Sequence, residues 1–194
     1  MSKKWFGVAL LLCLSSLLVV GHATAQTPYS TDSLAALVLN PSDVNSALSA
    51  VGSDKVTDSA DVNTSVTSSG SGVEADRTFK SNNGIIIVAL FANADGSGLN
   101  DSQRNNTLSG QILSTYAQGV FDNVSGFTLG GSAGIGDADQ LAVFSGSIQG
   151  VSLNVVGASF IKGNIYGIVI YATPGDADGV TLGALAGTQV NKLP

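Results

Sequence analysis

Five aspartates come nearest to a chemical constellation: Asp95, Asp137, Asp139, Asp176 and Asp178. Gly-Asp-Ala-Asp occurs twice, at Gly136–Asp139 and Gly175–Asp178. Aspartates at i, i+2 in a glycine-containing loop can offer oxygens to a hard cation. Asn93, Asp95, Ser97 and Gly98 match the first half of a calcium loop, but Arg104 stands where its bidentate Glu belongs. Two such carboxylates could also serve a glycosidase-like hydrolysis. The competing reading makes these aspartates turn residues and helix caps, positions that Asp beside Gly favours. Other chemistry is excluded. The single His (His22) and the single Cys (Cys13) lie in the first 25 residues. Beyond them there is no Ser-His-Asp triad, no Cys-His pair, no thiol redox site and no zinc or copper site. Gly130–Gly136 looks like a phosphate cradle, but it has no P-loop Lys and a strand follows it, so nucleotide binding is rejected. No cofactor motif is present.

A ligand groove is the other candidate site. Tyr166 and Tyr171 fall on opposite faces of one strand, and Tyr116 lies on a helix. The place for a ligand is between that helix and the sheet, with Tyr116, Tyr166 and Tyr171 as candidates.

The elements that must position these residues follow from the pattern. Residues 138–172 read as a β-meander, with strands over Asp139–Ser145, Gly150–Ile161 and Ile165–Ala172 and a tight turn at Lys162-Gly163-Asn164. Ile85–Phe91 and Ile165–Tyr171 are apolar on both faces, the mark of central strands covered from both sides. Val73–Lys80 precedes the first of them, with Asn83-Gly84 as the hairpin turn. Gly157 suggests a bulge. Asn40-Pro41 starts one helix, and a short helix over Asp32–Leu39 precedes it. Asn100 and Gln103 form a capping box for a long helix running to about Ser125, weakened at Gly110 and Gly119. A last helix starts near Asp178 or Thr181. Ser53–Gly72 is the least structured stretch, with an edge strand at most. Hairpin-linked strand groups separated by helices define an α+β fold: a mainly antiparallel sheet of five to seven strands with about three helices packed on it.

Lys3 and Lys4, the apolar run 8–20 and Ala23-Thr24-Ala25 have the layout of a signal peptide over residues 1–25. The remaining residues, 26–194, read as a single exported domain, periplasmic or secreted, with no transmembrane helix after cleavage. The net charge is −6, and losing Lys3 and Lys4 makes it about −8. Such an acidic surface disfavours nucleic acid and anionic membranes as partners.

The C-terminal half resembles uncharacterised exported bacterial domains at Gly136-Asp137-Ala138, at Phe160-Ile161-Lys162-Gly163-Asn164 and at Gln189–Leu193. Leu37–Asn45 resembles the first helix of extracellular sensor-type domains of bacterial membrane kinases and lipoproteins. The resemblance implies a bacterial exported α+β domain; it also implies paired cysteines, which residues 26–194 do not contain. The leading functional reading is a non-catalytic domain that binds a small ligand, an envelope component or a protein partner. The alternatives are a calcium- or Asp-dependent hydrolase-type module and a self-associating surface protein.

Overall fold

A computed structural model describes residues 28–66 and 70–194. The signal-peptide reading therefore lies outside the described residues, as do residues 67–69 of the Ser53–Gly72 stretch. The chain forms α1 (Thr31–Ala35), α2 (Pro41–Ala50), β1 (Val56–Ser59), β2 (Asn63–Val66), β3 (Gly72–Ser81) and β4 (Gly84–Asn93). It continues through α3 (Asp101–Leu108), α4 (Gln111–Val120), β5 (Asn123–Leu129), β6 (Ala138–Ile148), β7 (Val151–Lys162), β8 (Ile165–Thr173) and α5 (Gly179–Asn191). The fold is α+β: one eight-stranded antiparallel sheet, ordered β1-β3-β4-β8-β7-β6-β5, with β2 also paired to β3. The strand beyond the expected five to seven comes from the stretch read as least structured, which supplies both short strands, β1 and β2.

The two strands expected to be central are central and adjacent. β4 pairs with β8 from Ile85↔Ala172 to Ala92↔Ile165. Ile86, Ile87, Val88, Ile168, Val169 and Ile170 are all buried. Each contributes about 1.5–3 kcal/mol by leaving water, so this pair is held far more firmly than β2, whose residues are all exposed. One sheet face carries α1, α2 and α5, packed over Phe79, Ile86, Leu90, Phe160 and Val169. The other carries α3 and α4, with Leu113 and Ala117 over Ile87, Val155, Ile168 and Ile170.

Three local readings need correction. The long helix expected from Asn100 to Ser125 is two helices. Gly110 breaks it with a left-handed φ of 72°, and a Cβ there would meet the end of the Leu129 side chain. Gly157 is not a bulge, since β7 keeps unbroken register with β6 and β8 through it. It is a gap filled by Leu113, whose methyls stand 3.0 Å from where a Cβ would be. The β3–β4 hairpin closes on Ser81↔Gly84, so its turn is Asn82-Asn83 rather than Asn83-Gly84. Gly84 is the first residue of β4, where a Cβ would lie 2.7 Å from the Ala172 carbonyl oxygen.

Candidate ligand groove

The register of three strands builds the floor of the site. Glu74 of β3 stands opposite Phe91 of β4, and Phe91 stands opposite Tyr166 of β8. Directly paired residues share a sheet face, so the row Glu74–Phe91–Tyr166 runs across the face that carries α4. The Phe91 and Tyr166 rings are stacked, with centroids 4.9 Å apart and planes 9° from parallel. α4 supplies the wall. Tyr116 meets Phe91 edge to face at 6.2 Å and 84°, a favoured arrangement for aromatic quadrupoles. Between helix and strands lies a groove of about 470 Å³, lined by Glu74, Phe91, Ile112, Thr115, Tyr116, Gly119 and Val120. Gly119 keeps it open, because nothing lies within 4 Å of the position its Cβ would take.

The groove is electrostatically negative. Burial raises the Glu74 carboxyl above its ordinary value, neighbouring Asp76 raises it further, and the Ser65 hydroxyl, donating at 3.2 Å, partly offsets both. Burial likewise pushes the Tyr116 phenol well above the ordinary tyrosine value, with Asp76 and Glu74 adding to it. Tyr166 is raised by burial and by Glu74. Neither Lys nor Arg is among the residues lining this groove.

Of the three candidate tyrosines, Tyr116 and Tyr166 are brought together around Phe91. Tyr171 is on the opposite face, as its odd spacing from Tyr166 requires, and lines a separate recess of about 290 Å³ with Leu48, Ser53, Asp54 and Asn83. Sequence reasoning missed Glu74 and Phe91 as site residues. The available signal was the hairpin: closing it on Ser81 and Gly84 sets Glu74 opposite Phe91, whereas the turn one residue along, at Asn83-Gly84, sets it opposite Asn93.

The aspartates have local partners. Asp139 is 8% exposed and accepts four hydrogen bonds, from the Ser132 hydroxyl (2.6 Å) and the backbone N–H groups of Ala133 (2.7 Å), Gly134 (3.1 Å) and Ile135 (3.0 Å). The glycine-rich loop is thus an anion nest, and the anion it holds is the chain's own carboxylate. Asp137 accepts from the Gly163 N–H (2.7 Å) and the Lys162 ammonium (3.2 Å) and so fastens the β7–β8 turn; these contacts hold its carboxyl below the usual range. Asp95 accepts from the Ser97 N–H at 2.9 Å inside its own turn, and contacts with Ser97 lower its carboxyl. Asp178 caps α5, accepting from the Thr181 N–H at 2.7 Å and hydroxyl at 2.8 Å. Asp176 follows β8 and lines a recess with Gly126 and Asn154. Asp137 precedes β6 and lies against the β7–β8 turn, whereas Asp176 and Asp178 follow the far end of β8, so the two Gly-Asp-Ala-Asp stretches do not share a site. Among the described residues no three His, Cys, Asp or Glu side chains group to hold a metal ion.

Two of the stretches that carry the resemblance, Leu37–Asn45 and Gln189–Leu193, meet in space. The Gln189 side chain accepts from the Leu39 N–H at 3.1 Å and donates to the Leu37 carbonyl at 2.9 Å. The Lys192 ammonium donates to the Val38 carbonyl at 2.9 Å and to Asp43 at 2.8 Å. The chain is similar in fold to the crystal structure of the extracellular domain of PknH from Mycobacterium tuberculosis, with a TM-score of 0.54 and 14% identity over 86% of this chain and 97% of that one. No family model matches the chain, and no curated protein does. The structural neighbour is thus the extracellular domain of a mycobacterial kinase, and what the two share is the fold.

Proposed function

We propose that residues 26–194 form an exported, non-catalytic domain that binds a small ligand in the groove between α4 and strands β3 and β4. The ligand is a free molecule or a group presented by an envelope component or protein partner. The observation that carries this reading is the half-buried pair Glu74 and Phe91, the latter backed by Tyr166, lining a groove beside Tyr116. A concave, mostly apolar cleft with a few convergent polar groups is the usual form of a ligand site. Export is supported by the basic, apolar and small-residue order of the first 25 residues, and by a structural neighbour that is itself an extracellular domain. No described helix is long and apolar enough to cross a membrane. A non-catalytic role is supported by the aspartates, whose oxygens are largely engaged in turns and caps.

A ligand that binds only the folded chain raises its stability by mass action. Protein purified gently from its own host is therefore expected to melt higher than the same protein unfolded, dialysed and refolded. Gly119→Leu, which fills the groove, should remove that difference. Equal melting temperatures for the two wild-type preparations would contradict the reading.

A further inference from the structure

We infer that the groove is built for a small soluble organic cation, a molecule carrying a quaternary or otherwise substituted ammonium group. This inference rests on the ligand-binding reading and names the class of ligand. Phe91 and Tyr116 meet at 84° and so form a corner of two ring systems. Tyr166 stacks behind Phe91 and fixes its plane. The faces of such rings carry negative potential and attract ammonium groups within about 6 Å, most strongly where water is excluded. Glu74 stands across the strand pair from Phe91 and lines the same groove. It is the only glutamate in the chain. Asp76 is two residues along on the same face of β3 and adds a second negative charge, its carboxylate accepting from Asn63 at 3.3 Å.

Other ligand classes fit this lining less well. An anion would meet two carboxylates and no lining cation. A hard metal ion needs several oxygen ligands, and no group of three His, Cys, Asp or Glu exists among the described residues. A neutral sugar ring would stack on Phe91 but gain nothing from the charge. The Glu74 carboxyl resists ionisation in the empty groove; a bound cation reverses that by neighbouring-charge stabilisation.

Choline and its neutral isostere 3,3-dimethylbutan-1-ol test the inference directly, because they match in shape and differ in charge. Each is titrated into isotopically labelled protein, residues 26–194, while the NMR signals of Phe91, Ile112, Tyr116 and Val120 are followed. The inference predicts saturable shifts with choline, at least tenfold weaker binding of the isostere, and a loss of about tenfold for choline on Glu74→Gln. Gly119→Leu should abolish the shifts, and unchanged amide spectra elsewhere report that both variants fold. Equal binding of the two probes would overturn the cation inference and leave the groove reading standing. Absence of shifts with choline would also overturn it, and the groove itself is then judged by the host-purified melting comparison.

Discussion

Single residues account for both the closed and the open parts of the structure. Asp139 closes one loop. Its carboxylate gathers four donors, and charge-assisted bonds of this kind are each stronger than neutral ones. Asp139→Ala is expected to cost roughly 2 kcal/mol, read from urea unfolding, and to speed amide exchange at Ala133, Gly134 and Ile135. Unchanged exchange there would mean that the loop is held by something else. Glu74 behaves oppositely. Its folded carboxyl titrates above the ordinary value of 4.5. Its contribution to stability is therefore fully present below that value and lost as pH rises through the raised one. At neutral pH the ionised Glu74 disfavours the fold. Glu74→Gln should stabilise the protein near pH 7 by less than about 1 kcal/mol, since solvent shares the charge, and the gain should vanish below about pH 4. A destabilised variant at neutral pH would contradict this. Neither role was visible in the residue alone. Asp139 reads as a turn aspartate or a metal ligand until the loop folds over it, and Glu74 acquires a neighbour only once strand register is fixed.

At the scale of elements, local signals were legible and positional ones were not. The starts of α2, α3 and α5 were marked by Asn40 with Pro41, by Asn100 with Gln103, and by Asp178. The Asn40, Asn100 and Asp178 side chains each accept from first-turn N–H groups, because a cap is decided within four residues. The three strands of the meander were likewise legible from turn residues and apolar runs. The break between α3 and α4 was not, because a glycine inside an apolar helical pattern signals only a weak helix. The break is set by the left-handed backbone of Gly110, beside which the Leu129 side chain of β5 packs. The two helix glycines thus predict opposite outcomes. Gly110→Ala should destabilise by at least about 1–2 kcal/mol, the cost of a left-handed conformation for a residue with a Cβ. Gly119→Ala sits in ordinary helix with open space around it and should stabilise by about 0.5–1 kcal/mol. Chemical denaturation of both variants checks the pair; effects of the same sign would contradict the two assigned roles.

Across the whole molecule, the fold depends on contacts that no local pattern announces. The sheet joins at β4 and β8, some eighty residues apart in sequence. On one face the last helix is tied to the α1–α2 link by Gln189, which is fully buried and serves both Leu37 and Leu39. Lys192 adds an ion pair to Asp43. Burial opposes ionisation of Asp43, but the Asn40 N–H and Lys192 outweigh it and hold the carboxyl below 3.8, so that stabilisation is lost as pH falls through the lowered value. Gln189→Ala strands a buried N–H and a carbonyl and should cost about 2–4 kcal/mol. Equilibrium unfolding measures it, and a loss under about 0.5 kcal/mol would show that water replaces the amide. The opposite face is less completely covered. α4 packs on β5 and β7 and meets the β3–β4 side at Phe91, and the groove lies where its cover of β3 is incomplete.

The most direct measurement is native mass spectrometry of residues 26–194, purified gently from the protein's own host and compared with the Gly119→Leu variant. The account predicts an excess mass on the wild-type chain that disappears on denaturation and is absent from the variant. A bare wild-type mass, or an excess mass that the variant retains, would contradict a ligand held in the groove beside Glu74, Phe91 and Tyr116.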